Sequence, residues 1–290
     1  MTGLRPAARP GRARKRFAQH FLEGAWVNKL VAAIGVTADD SILEIGPGRG
    51  AITRPLAEQA GRLLAVEIDR DLAADLEAAA LPNVTVVTND VLSVDLVPIL
   101  TQWLGAPPSS ANQIRVVGNL PYNLSTPILF RVLALARATG RVRDATVMLQ
   151  REVADRVLAK PGGGDYGPLA VMLGLFADRS RMLSLPPGAF RPAPQVHSAV
   201  VRLTFRPPPV PVARFEAVDR LVRTAFQQRR KTLANALRPL LVSAEASGQA
   251  PLDVAAVLQG AGIDPMRRPE TVTPEEFVHL ADTLIPLSVL

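Results

Sequence analysis

Three observations predict an α/β protein with a doubly wound, mostly parallel sheet followed by a small all-helical domain. Short apolar runs alternate with helical stretches, a glycine-rich turn follows the first run, and a purely helical pattern stands behind a proline-rich linker. The 290 residues, 48% of them hydrophobic, are enough for one large domain and a smaller one. The boundaries read as a basic arm over 1–15, a main domain over 16–206 and a helical domain over 207–290.

The first helix is predicted over Gly24–Ile34, where Trp26, Val27, Leu30, Val31 and Ile34 share one face. Ser41–Ile45 reads as a strand and Ala51–Ala60 as a helix. Leu63–Ile68 and Leu72–Ala79 repeat the pair, and Val84–Val87 is the third strand. Ile114–Val117, a helix over Thr126–Ala136, a strand over Ala145–Leu149 and a helix over Glu152–Leu158 complete the alternation. Between them, Leu104–Asn112 carries Pro107, Pro108, Ser109 and Ser110 and reads as an exposed loop. Met182–Leu185 and Val200–Phe205 are later strands separated by the Pro-rich segment Pro186–Gln195, which fits an antiparallel hairpin at the sheet edge. Pro207–Pro211 is the linker. Beyond it, Phe215–Gln228, Lys231–Leu240, Val254–Gln259 and Glu275–Leu284 read as helices.

The chain has no cysteine, which excludes disulfides, thiolate zinc sites, cysteine nucleophiles and cysteine-held iron–sulfur clusters. His20, His197 and His279 show no metal-ligand spacing, so no metal is expected. No apolar run reaches the roughly 18 residues that span a bilayer, and no signal-peptide pattern opens the chain, so a soluble, cytoplasmic monomer is expected. The net charge is +7, and six basic groups (Arg5, Arg9, Arg12, Arg14, Lys15 and Arg16) fall in the acid-free first twenty residues. Such a start fits an RNA-seeking arm, an arginine-rich genome composition or a mitochondrial transit segment. Pro6, Pro10 and Gly11 interrupt the amphipathic helix the last would need.

Two motifs carry the chemistry. Glu44-Ile45-Gly46-Pro47-Gly48-Arg49-Gly50 lies between a strand and a helix, where bare backbone can approach a nucleotide-like ligand. Its Gly-x-Gly-x-Gly spacing, with Glu44 two residues ahead, favours S-adenosylmethionine over a dinucleotide; a plain tight turn is the alternative. Glu67 at the next strand end can accept both ribose hydroxyls, or serve helix-start chemistry with Asp69. Asn89-Asp90 can accept from an adenine amino group, or form an Asx turn.

The second motif is Asn119-Leu120-Pro121-Tyr122, at the fourth strand end. An adenine N6 amine is a poor nucleophile because its lone pair is delocalised into the ring. Acceptors aimed at its hydrogens, here the Asn119 side-chain oxygen and the Leu120 carbonyl, favour a pyramidal nitrogen. Pro121 stiffens the turn and Tyr122 offers a stacking face worth ~1–3 kcal/mol per base. Phe190, in the rigid stretch through Ser198, fits either the second face of a flipped base or a hydrophobic plug. Arg229, Arg230 and Lys231 form a solvated helix end or, with Arg14, Lys15 and Arg16, an RNA-backbone contact.

With these motifs in hand, the chain resembles the KsgA-type small-subunit rRNA adenine dimethyltransferases from Arg14 to its C-terminus. Five ordered segments carry the resemblance: Arg16–Leu22, Glu44–Gly48, Asn119–Tyr122, Phe190–Ser198 and Phe226–Leu233. The resemblance implies a Rossmann-like class I methyltransferase that dimethylates N6 of two neighbouring adenosines near the 3′ end of 16S rRNA, within a pre-ribosomal particle. It implies that Gln19, His20 and Leu22 close over S-adenosylmethionine and that Gly46, Gly48, Glu67, Asp90 and Asn119 bind it. It further implies that Asn119 faces the target amine and that Tyr122 and Phe190 sandwich the base. His20 departs from the Asn common among bacterial relatives. Erm-type large-subunit rRNA methyltransferases share these cofactor motifs, but usually have Ile in place of Leu120 and lack the Phe226–Leu233 segment. A non-catalytic assembly factor and a DNA adenine methyltransferase are the remaining alternatives. The intact Gly46, Glu67, Asp90 and Asn119 oppose the first, and the lack of a sequence-reading module opposes the second.

Overall fold

A computed structural model of the chain describes residues 21–105, 113–246 and 253–285. Its main body is a seven-stranded sheet in the order β4-β3-β2-β5-β6-β9-β7. After β1 (Phe21–Leu22) and α1 (Gly24–Ile34), the parallel half is built from β2 (Ser41–Ile45), α2 (Thr53–Ala57), β3 (Arg62–Glu67), α3 (Arg70–Ala78), β4 (Val84–Thr88) and α4 (Leu96–Leu104). β5 (Ile114–Asn119), α5 (Ser125–Thr139) and β6 (Val142–Gln150) continue it. Parallel strands joined by helices are buried on both faces, so β2 and β3 read as near-continuous apolar runs.

Beyond β6 the direction reverses. α6 (Arg151–Leu158) and α7 (Pro168–Phe176) lead to β7 (Ala177–Leu185), a short β8 (Phe190–Arg191) and β9 (Ser198–Phe205). β9 lies antiparallel between β6 and β7, with Ser198 opposite both Gln150 and Leu185. The expected edge hairpin is therefore present, with its second strand placed inside. β8 leaves the main sheet and pairs antiparallel with β1, Leu22 opposite Phe190.

Two helices escape the sequence pattern. Eight of the nine α7 residues are buried, so no polar face marks a helical period. In α4, Pro98 disguises a first turn that the Asp95 side chain caps by accepting from Val97 N–H. The expected Ala51–Ala60 helix shortens to α2, and the loop expected at 104–112 lies largely outside the described residues.

At the edge opposite the glycine turn, buried Arg115 of β5 donates to Asp40 (2.9 Å), Asp144 (3.0 Å) and the Ile34 carbonyl (2.8 Å). This ties the C-terminus of α1 to the sheet. Losing one member of such a buried cluster costs about 3–5 kcal/mol, because the others are left unpaired.

The tail comprises α8 (Phe215–Gln227), α9 (Leu233–Ala246), α10 (Val254–Gly260) and α11 (Pro274–Leu284). Val218, Leu221, Val222 and Ala225 of α8 join one apolar core with α7 and the sheet. Phe226 of α8 packs against both Tyr166 and Phe277, and the Tyr166 hydroxyl donates to the Val272 carbonyl at 2.9 Å. Among the described residues, no helix is long and apolar enough to cross a membrane.

Candidate active site

A cavity of about 190 Å³ opens at the carboxyl ends of the parallel strands, where the turns after β2, β3, β4 and β5 converge. Gly46, Gly48 and Gly50 all take left-handed backbone, with φ of 68°, 58° and 74°. This conformation excludes most side chains and explains the repeated glycine. A Cβ on Gly46 would meet nothing within 4 Å, so a side chain there would grow into open space beside the cavity.

Glu67 anchors the turn. Its Oε2 accepts from Gly48 N–H at 3.0 Å, and its Oε1 accepts from Asp69 N–H at 2.9 Å. Each carboxylate oxygen has further acceptor capacity, and Glu67 lines the cavity. The helix-start role belongs to its neighbour, since Asp69 caps α3 by accepting from Asp71 and Leu72 N–H. The helix-start alternative thus falls to Asp69, while Glu67 holds the glycine turn. At Asp90 the Asx turn is present: Oδ1 accepts from Leu92 N–H at 2.9 Å, and the residue also lines the cavity.

Glu44 does not line the cavity. It is buried in β2, and burial pushes its carboxyl up to about 7, with the nearby Glu67 charge adding to the rise. The Thr53 hydroxyl opposes that rise, although neither Thr53 Oγ1 nor Glu44 Oε2 completes a hydrogen bond among the described residues.

Asn119 ends β5 behind Gly118, where a Cβ would lie 2.9 Å from the Ile45 carbonyl oxygen. Only glycine permits this approach of β5 to β2, and it brings Asn119 beside the glycine turn. Leu120 buries its side chain and donates its N–H to the Met148 carbonyl at 3.2 Å. The Pro121 carbonyl accepts from Leu124 N–H and the Ser125 hydroxyl, each at 3.0 Å. Tyr122 is half-buried on the cavity wall, and burial raises its phenol above the ordinary range.

Of the predicted site residues, Leu22, Gly46, Gly48, Glu67, Asp90, Asn119, Leu120, Pro121 and Tyr122 share this cavity. Phe190 does not. Its ring is 0% exposed and packs into a core cluster with Leu22, Met148, Leu185 and Val200. The β1–β8 pairing draws that position inward, so the plug reading fits and the base-sandwich placement does not. Gln19, His20, Arg14, Lys15 and Arg16 lie outside the described residues. Arg229 turns back onto the Gly163 carbonyl (3.3 Å), whereas Arg230 and Lys231 are exposed. The sequence reading missed Ile68, which is 47% exposed at the cavity, and Leu124 beside the Asn119 turn. An exposed apolar residue leaves no periodic signal, so only the cavity reveals them.

The model of the family described as ribosomal RNA adenine dimethylase matches residues 11–273. The chain belongs to that family. Among family relatives, "Ribosomal RNA small subunit methyltransferase A" of Pseudomonas syringae pv. syringae is 43% identical over 277 residues, covering 94% of this chain and 95% of that one. The protein of the same name from Nitrosococcus oceani is 44% identical over 273 residues, covering 93% and 95%. The fold is that of a class I methyltransferase. A dimethyladenosine transferase from Plasmodium falciparum superposes with a TM-score of 0.73 at 22% identity, covering 93% of this chain and 98% of that one. The 23S rRNA methyltransferase ErmE superposes with a TM-score of 0.61 at 26% identity, covering 91% and 99%.

Proposed function

We propose that this protein transfers methyl groups from S-adenosylmethionine to N6 of two adjacent adenosines near the 3′ end of small-subunit rRNA, in a pre-ribosomal particle. The observation that carries the reading is the convergence on one cavity of a glycine turn pinned by Glu67, the Asp90 turn and the Asn119–Tyr122 turn. Open space at the missing Gly46 Cβ suits a ligand lying against the backbone, and a strand-end carboxylate with spare acceptor capacity suits a ribose. These residues fit S-adenosylmethionine. Bound there, it would supply an electrophilic methyl group.

In this reading Gly46, Gly48, Glu67, Asp90 and Asn119 hold the cofactor, and Leu22 closes over it with Gln19 and His20 just ahead of it. The Asn119 side-chain oxygen and the Leu120 carbonyl accept the two N6 hydrogens of adenine, which turns the nitrogen lone pair towards the methyl group. Tyr122 supplies a stacking face. No strong general base is required, since the N6 proton becomes acidic once the methyl is attached and can leave to water. Arg230 and Lys231, with the basic arm, meet RNA phosphates.

The test is transfer of labelled methyl groups to undermethylated small ribosomal subunits, compared with naked large-subunit rRNA, with the product nucleoside identified by mass. N6,N6-dimethyladenosine on the small-subunit substrate alone is expected. Label on large-subunit RNA would instead favour the Erm-type activity. Tight binding to small subunits without transfer would leave an assembly factor.

A further inference from the structure

Tyr122 and Ser198 belong to distant parts of the chain. Tyr122 sits in the turn after β5, while Ser198 opens β9, two strands away across the end of β6. Their hydroxyl oxygens nevertheless lie 2.8 Å apart, and either can donate. Ser198 is 1% exposed and does not line the cavity, so it touches neither cofactor nor base. Without a partner, a buried hydroxyl is unfavourable, and the phenol is the partner the described residues provide.

A side chain can occupy several staggered χ1 wells, so a turn that fixes the Tyr122 backbone still leaves more than one direction in which its ring can point. A hydrogen bond to the hydroxyl at the far end of the ring, which χ1 carries from place to place, removes that freedom. The anchor is itself firm. Ser198 is paired on both sides, to Gln150 and Leu185, and the preceding His197 carbonyl accepts from Arg151 N–H at 2.9 Å.

We infer that Ser198 is a positioning residue: through its hydroxyl it holds Tyr122 in one χ1 well, and so sets where the ring stands against which the target base stacks. The inference rests on the proposed adenine-methylating function. It adds that the antiparallel part of the sheet, which carries no reacting group, tunes the base-binding wall. A stacking ring put in place before the base arrives spares the base the task of ordering it.

The test combines Ser198→Ala, Ser198→Thr, Tyr122→Phe and the double variant Ser198→Ala/Tyr122→Phe. The chain has only two tyrosines, Tyr122 and Tyr166, so ring-carbon NMR of tyrosine-labelled protein gives two assignable signals. Ser198→Ala should shift the Tyr122 signal and leave that of Tyr166 in place, and Ser198→Thr should restore it. This readout needs no substrate, so it stands even if adenine transfer is never observed. In single-turnover transfer on small subunits, Ser198→Ala should slow the methyl step roughly tenfold or more. S-adenosylhomocysteine affinity and thermal midpoint should stay near wild type. Tyr122→Phe should match Ser198→Ala, with the double variant no slower. An unmoved Tyr122 signal, an unchanged rate in Ser198→Ala, or multiplied losses in the double variant would each overturn the inference. A wild-type protein that gives no dimethyladenosine would overturn the proposed function instead.

Discussion

The glycine turn and the Asn119–Tyr122 turn sit on the neighbouring strands β2 and β5, yet they are held in opposite ways. The glycine turn is secured from within the parallel half, by a Glu67 carboxylate only nineteen residues from the Gly48 N–H it accepts. The second turn closes on itself at the Pro121 carbonyl, but its Tyr122 ring is secured from outside, by a Ser198 hydroxyl seventy-six residues away on a strand of opposite direction. The glycine turn and its Glu67 anchor are thus in place once β2 and β3 have paired, whereas the Tyr122 ring waits for β9. On the proposed function, a site built this way would keep its glycine turn fixed while the surface that receives the base is adjusted.

The comparison breaks most readily at Phe190. Phe190→Ala should cost about 3–5 kcal/mol in urea unfolding, because it empties a fully enclosed site behind Leu22. Phe190→Leu should recover most of that and keep methyl transfer. A leucine variant of normal stability that loses transfer would return the ring to the base wall.

Next in size, Asn119→Ala should lower transfer roughly 10²–10³-fold, the range seen when one transition-state hydrogen bond is removed. RNA affinity by filter binding should stay near wild type. An equal loss in RNA binding would mean that the turn grips RNA rather than the reacting amine.

Glu44 sharpens the cofactor side. Its folded-state pKa of about 7 exceeds the ordinary 4.5, so the folded protein keeps a proton that the unfolded chain has released. The stability this group contributes is whole below pH 4.5, declines between 4.5 and 7, and is constant above. Glu44→Gln should therefore leave stability unchanged near pH 4.5 and raise it at pH 8 by roughly 3 kcal/mol. Parallel stability–pH curves for the two proteins would show that the carboxyl ionises normally.

Smallest is the arm. Removing residues 1–13, which include Arg5, Arg9 and Arg12, should reduce the slope of log affinity against log salt by roughly 0.7–0.9 per lost phosphate contact. S-adenosylhomocysteine binding should hold. An unchanged slope would take the arm out of RNA recognition.

The alternation of strands and helices was legible because each element keeps its own period, and the strand-end motifs because parallel topology sends every β-to-α turn to one edge. Glu67 and Asn119 could be placed on that logic alone. Phe190 could not, since its position depends on a two-residue strand pairing with β1 across nearly the whole main domain. α7 hid because burial on all sides erases periodicity. The Tyr122–Ser198 bond is invisible in sequence for a related reason: it exists only once β9 has inserted between β6 and β7 in a particular register.

The shared core beneath the tail has a consequence for how a target is chosen. Arg206 donates to the Gly174 carbonyl at 3.2 Å, and Val210, Val212 and Phe215 pack down beside it, so the stretch leading into α8 is clamped rather than slack. The exposed Arg230–Lys231 turn therefore belongs to a tail that packs on the same apolar core as the sheet carrying the cavity. On the proposed function, a nucleic acid held at that turn would reach the cavity over a packed surface rather than across a free linker. Such a fold would act as a ruler, selecting a nucleotide by where it falls rather than by which letters surround it.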